Sequence, residues 1–211
     1  MVKGIINMSV MSPAFKETYK NYLDQVAGLE FKSLEKKLGI RADTDKVVIP
    51  FFGRLYTISN KSIVGPAGKQ PSLEISVVLC KYLLLCPEMA PSEGDWVSYR
   101  DFKDSVPLTS FFASSAEQSL ARHFSGRIDD LEKSCKSLGG FSPDIELSYE
   151  ISIQFNSLPK IPLLMLFNDA DEEFPAHCSV LFKRNAEMYL DAECLAILGM
   201  LFSAYLRNPY K

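Results

Sequence analysis

The sequence predicts a segregated α+β fold, with an antiparallel or mixed sheet packed against several helices in a single domain. Three observations predict it. In residues 144–155, apolar Ile145, Leu147, Tyr149, Ile151, Ile153 and Phe155 alternate with polar residues, the period of a strand with one face on a core and one in water. Such a one-sided strand belongs in an antiparallel or mixed sheet. Residues 161–167 are apolar except at Pro162, which marks a central strand covered on both faces. The order of elements is helices, a hairpin, helices, a strand meander and a helix, without the β-α-β alternation of a doubly wound sheet.

The elements follow in order. Ser12 and Pro13 open the first helix as N-cap and first helical residue. Tyr19, Tyr22, Leu23 and Val26 then recur on one face, and Gly28 breaks the helix. A second helix keeps Phe31, Leu34 and Leu38 inside, with Gly39 as its C-terminal cap. Residues 46–52 and 55–59 read as a hairpin turning near Gly53. Pro50 should sit at an edge or a bulge, because it has no N–H to give to a ladder. Residues 62–70 form a loop, and 73–86 a buried helix. Residues 87–95 are loop again, 96–102 a short aromatic stretch, and 115–124 and 128–138 two helices, the first capped by Ser114 or Ser115. Residues 156–159 should turn the chain between the two strands, and 168–175 should turn it into a further strand at 178–182. Asp191 caps the last helix, with Glu193 in its first turn, and Asn208-Pro209 stops it.

Length and composition narrow the function. The 211 residues suit one domain that buries a core without staples, with residues 1–12 expected to be loosely ordered. The formal charge is -3, and its 23 basic side chains are scattered. The nearest cluster, Lys32, Lys36 and Lys37, alternates with Leu34 and Leu38 as the wet face of a helix. No concentrated basic face is present, which argues against nucleic-acid binding. The apolar stretch 73–86 carries Glu74 and Lys81 and would be roughly 20 Å long as a helix, against about 30 Å for a bilayer core. That argues against a membrane span. The five cysteines are odd in number and widely spread, so they form no disulfide framework. With no signal peptide evident, they point to a reducing cytoplasm.

Two clusters could carry chemistry. In the first, Asp169, Asp171, Glu172 and Glu173 leave a strand end with His177 nearby. Carboxylates and an imidazole can hold a cation or a substrate. An exposed acidic turn shaped by Pro175 is the plainer account of them, and a salt bridge to a basic residue is a further one. In the second, Trp96, Tyr99 and Arg100 can form a stacking and anion-binding surface, or pack as an aromatic wedge onto the sheet. His123, at a predicted helix C-terminus, has a sufficient role as a cation on the dipole. Adjacent strand residues face opposite ways, so His177 and Cys178 are poor partners for nucleophilic chemistry. The phosphate-binding, dinucleotide and nucleophile-elbow motifs are missing, as is any C-x-x-C pair.

Many short words in order carry a family resemblance. They include Ile49-Pro50-Phe51-Phe52-Gly53-Arg54, Gly94-Asp95-Trp96-Val97-Ser98-Tyr99-Arg100-Asp101, Leu120-Ala121-Arg122-His123-Phe124, Leu158-Pro159-Lys160-Ile161-Pro162, and the run from Asp169 to Ala176. Together they resemble a prokaryotic family of unknown function, domain of unknown function 3786, over roughly residues 15 to 206. The resemblance implies an anaerobic host, and in some members an added four-cysteine iron–sulfur module. This chain lacks that cysteine cluster, and the resemblance implies no agreed activity or catalytic residues.

The sequence therefore leads to a non-catalytic cytoplasmic accessory or binding module for an unidentified small molecule, cofactor or protein partner. Its surface would be built from Trp96, Tyr99 and Arg100 and closed by Asp171, Glu172 and Glu173. The alternative is a metal-assisted enzyme using the acidic turn at 169–173, with Asp171, Glu172 or Glu173 as metal ligands or general bases. No metal site is assigned, and Asp169, Asp171 and His177 are the only candidates for one.

Overall fold

The computed structural model describes residues 13–208. Ser12, the segment 1–12 and Pro209 lie outside them. The fold is α+β, with two four-stranded antiparallel sheets and their helices in a single domain.

Helix α1 (Pro13–Val26) buries Leu23 and Val26 and packs on the helix at 73–84. Helix α2 (Phe31–Leu38) buries Phe31, Leu34 and Leu38 and exposes Lys32, Lys36 and Lys37. Each of those three apolar side chains contributes about 1.5–3 kcal/mol relative to an exposed position. Gly39 ends the helix at φ 68°, a left-handed conformation that glycine adopts without steric penalty.

The first sheet has the order β1 (Arg41–Ala42), β2 (Lys46–Phe51), β3 (Arg54–Ser59), β4 (Ile63–Val64). Strands β2 and β3 form the predicted hairpin, turning through Phe52 at φ 46° and Gly53 at φ 73°. Two consecutive left-handed residues suit the right-handed twist of the strands they join. Pro50 pairs with Leu55, and β1 covers only Val47 and Val48, so Pro50 sits where β2 is locally an edge.

Helix α3 (Leu73–Leu84) is capped by Ser72, whose hydroxyl accepts the Ile75 N–H. The buried Tyr82 on α3 donates its hydroxyl to the Leu38 carbonyl at 3.0 Å and accepts the Lys160 N–H at 3.2 Å. One side chain thus ties the end of α2 to the second sheet.

Strand β5 (Trp96–Ser98) leads into a single 3-10 turn, Tyr99–Asp101, and a further 3-10 turn, Val106–Leu108. Helix α4 (Thr109–Phe112), a π-helical turn (Ala113–Glu117) and helix α5 (Gln118–Phe124) then form one rod, followed by α6 (Ile128–Ser137). The rod begins well before the predicted start at 115. Ser114 and Ser115 do not cap it. They lie inside the π turn, and both hydroxyls donate to the Phe111 carbonyl.

The second sheet has the order β5-β8-β7-β6, from β6 (Ile151–Leu158), β7 (Ile161–Asn168) and β8 (His177–Lys183). Strand β7 is central and buried on both faces, as its unbroken apolar run predicts. The expectation for residues 144–155 holds only in part. Residues 144–150 form no strand, and Ile145 and Tyr149 are 45% and 38% exposed. Alternation needs a neighbouring strand to become a sheet. Here the ladder of β6 on β7 starts at Ile151 opposite Phe167, and on the other edge of β6 an isolated bridge joins Phe141 to Gln154. The strand instead runs on through the predicted turn at 156–159, with an irregular register between Asn156 and Leu158, and turns at 159–160.

Helix α7 (Ala192–Arg207) opens on Asp191, whose carboxylate accepts the Cys194 N–H at 2.9 Å. Burial pushes the Asp191 carboxyl up, but that N–H and the Lys81 ammonium at 3.1 Å outweigh it and hold the carboxyl below its ordinary range. Phe202 on α7 meets Phe155 of the second sheet at 4.8 Å and Phe52 of the first at 5.9 Å. The N–H of Phe52 donates to the Ser157 carbonyl at 2.9 Å, so the two sheets share a backbone bond as well as a core.

Candidate functional site

The site arises where β5 stops. Its three residues pair with Leu181, Phe182 and Lys183, and the chain then leaves the sheet at Ser98, whose N–H is held by Asp101 at 3.0 Å. Beyond Leu181, no further strand among the described residues lies beside the edge of β8 that faces β5. A bare edge presents unsatisfied backbone groups. Glu117 meets one of them. Its carboxylate accepts the N–H of Val180 at 3.1 Å from the last position of the π turn. Wide turns of this kind sit inside helices at functional sites more often than elsewhere.

Strand edge, 3-10 turn and π turn enclose a recess of about 260 Å³. One wall is aromatic. The Tyr99 ring stacks on Phe112 with centroids 4.5 Å apart and planes 9° from parallel. The Tyr99 hydroxyl donates to the Ala192 carbonyl at 2.8 Å, and burial pushes its pKa up to about 12. Tyr99 is therefore a fixed wall and no acid or base near neutrality. The hydroxyl-bearing residues Ser98, Thr109 and Ser179 add polar lining.

Three ionisable side chains converge on this recess: Arg100 from the 3-10 turn, Glu117 from the π turn, and His177 from the start of β8. Burial raises the Glu117 carboxyl above its ordinary range, while the Val180 N–H, the His177 imidazole and the Arg100 guanidinium pull it down less strongly. Among the described residues, no ion pair within 4.0 Å joins Glu117 to either base. The Arg100 guanidinium and the His177 ring form no hydrogen bond to any described residue. The groups are near enough to feel one another's charge, and Arg100 and His177 are themselves exposed to solvent.

The structure thus brings together Tyr99, Arg100 and His177 from the sequence-predicted set. Glu117 escapes sequence reasoning because it lies in a helical rod with no motif around it. The Ser114-Ser115 pair just before it was the one local sign of an irregular helix.

Trp96 and the acidic turn do not meet. Trp96 pairs with Lys183 at one end of β8, and its ring carries the Lys183 ammonium at 4.6 Å. The turn adjoins His177 at the other end, about 20 Å away along the strand. Neither Trp96 nor Asp171 lines the recess of Arg100 and Glu117. Within the turn, Asp169 accepts the N–H groups of Gly126 and Ala170 at 2.8 and 2.7 Å, and Asp171 those of Glu173 and Phe174 at 2.8 and 2.7 Å. These backbone bonds hold the fully exposed Asp171 carboxyl below its usual range. Glu172 and Glu173 are exposed on the same turn. Among the described residues, no group of three or more His, Cys, Asp and Glu side chains is arranged to hold a metal ion. His123, given a cationic role by the sequence, is held toward its neutral form by burial and then by the guanidiniums of Arg127 and Arg207.

Fold and site together define an α+β domain with a polar recess built on a strand edge and a π turn. Residues 30–205 match the family model described as domain of unknown function (DUF3786), and the chain belongs to that family. No curated protein and no solved structure matches it. Among the described residues, no helix is long and apolar enough to cross a membrane.

Proposed function

We propose that this domain is a non-catalytic binding module of the cytoplasm, and that its small-molecule ligand sits in the recess between β5, β8 and the π turn. One observation carries the reading: Arg100, Glu117 and His177 converge on a single concave site without pairing with one another. Small-molecule sites are usually concave and combine apolar walls with a few polar groups, and the recess has both. The free cysteines suit a reducing compartment, and their dispersal gives an iron–sulfur cluster nothing to rest on within this chain.

The alternative, a metal-assisted enzyme at 169–173, has less support. Asp169 and Asp171 already hold backbone N–H groups, as turn-forming aspartates do. Elemental analysis of the chain purified without chelator tests it, and a stoichiometric metal lost in Asp171→Ala would favour it over the recess.

The recess reading is tested by amide chemical-shift mapping against a panel of small acids, amines and amino acids. A bound compound is expected to perturb Ser98, Arg100, Glu117 and Ser179 together. Binding that maps elsewhere, or survives Arg100→Ala and Glu117→Ala unchanged, would overturn it.

A further inference from the structure

We infer that the recess recognises a small amphoteric molecule, one carrying a carboxylate and an ammonium group and of the size of an amino acid. This deepens the binding-module reading and rests on it. The charge pattern makes the selection. A simple anion drawn to Arg100 and His177 meets the Glu117 carboxylate, and a simple cation drawn to Glu117 meets the Arg100 guanidinium. Each pays a like-charge cost in a partly desolvated site. A molecule that presents opposite charges at its two ends satisfies both sets of groups.

The hydrogen-bonding capacity agrees. One Glu117 oxygen, Oε1, is held by the Val180 N–H, which fixes the carboxylate and leaves its other oxygen for an ammonium donor. A guanidinium fork matches a carboxylate in two parallel bonds, and the Arg100 guanidinium is unpaired among the described residues. Phe112 and Ala113 offer an apolar wall for a short stem between the charged ends. The volume of about 260 Å³ excludes nucleotides and other large cofactors from lying wholly inside.

The test uses the full chain and isothermal titration with each of the twenty common L-amino acids. For the tightest binder, the same acid lacking its amine and the same amine lacking its carboxylate follow. Loss of either group is expected to weaken binding at least tenfold. Glu117→Gln is expected to weaken the amino acid at least tenfold and to tighten the deaminated acid, because the like charge that opposed it is gone. Arg100→Gln is expected to weaken both. Arg100 is exposed, so that variant reports even if Glu117→Gln disturbs β8. If the deaminated acid or the bare amine binds as tightly as the amino acid, the amphoteric class is wrong and the recess remains a binding site. The class is equally wrong if Glu117→Gln binds the amino acid normally. If no amino acid and no fragment binds, both the class and the binding reading fall.

Discussion

Phe112 lies directly against the backbone of Gly199. A Cβ at position 199 would stand 2.3 Å from the Cε2 atom of the Phe112 ring. The glycine of α7 therefore sets how deeply the ring seats, and the ring in turn carries the Tyr99 wall of the recess.

Gly199→Ala should cost about 1–3 kcal/mol, the range for forcing extra volume into a packed core, although alanine favours a helix more than glycine does. Urea unfolding measures it. Phe112→Leu in the same chain should recover part of the loss, because the two changes share one space. A Gly199→Ala chain as stable as the parent would show that the ring moves freely and does not define the recess.

Glu117 should leave a signature in the pH dependence of stability. Burial raises its folded pKa, so between its unfolded and folded values the native chain holds a proton that the unfolded chain has released. Stability from this group is then full below the ordinary glutamate range and falls as pH rises through the folded pKa. In Glu117→Gln that fall should be missing. Chemical denaturation of both chains at steps between pH ~4 and ~7 gives the difference curve. A flat difference would mean that the carboxyl is not desolvated.

The five thiols should react unequally. Burial raises Cys80 and Cys135 to about 12 and raises Cys178 and Cys194 as well. Cys86 is only partly buried, and although burial raises it too, Lys37 draws it back. Because the thiolate is the reactive form, a maleimide at pH ~8 should label Cys86 first and the others only on unfolding. Mass spectrometry of the native and unfolded chain distinguishes this from uniform labelling.

What could be read from the chain and what could not divides along a physical line. Local signals held where local forces decide: Gly39 past a helix end, Asp191 before one, the Phe52-Gly53 turn, and the unbroken apolar run of β7. Residues 144–150 misled because alternation describes a side-chain pattern, whereas a strand also needs an edge to pair with, and the ladder with β7 begins only at Ile151 opposite Phe167, one residue before β7 ends. The site was half legible for the same reason. Tyr99 and Arg100 stood out as neighbours in sequence. Glu117 joins them only because β5 ends early and leaves the Val180 N–H without a strand partner, a condition set by residues more than sixty positions away. The joining of Trp96 to the acidic turn fails because β8 separates them by its own length.

The tip of the first hairpin is unlike an ordinary surface loop. Phe51 and Phe52 are buried there against the aromatic rings of α7, and the tip is hydrogen-bonded to Ser157. Severing the chain after residue 64 would not yield two self-sufficient pieces. The larger fragment would keep an aromatic strip of Phe155, Phe202 and Tyr205 with no cover, and the smaller would carry its counterpart bare. Tags, splice points and inserted domains therefore belong elsewhere, because this turn is a keystone between the two halves.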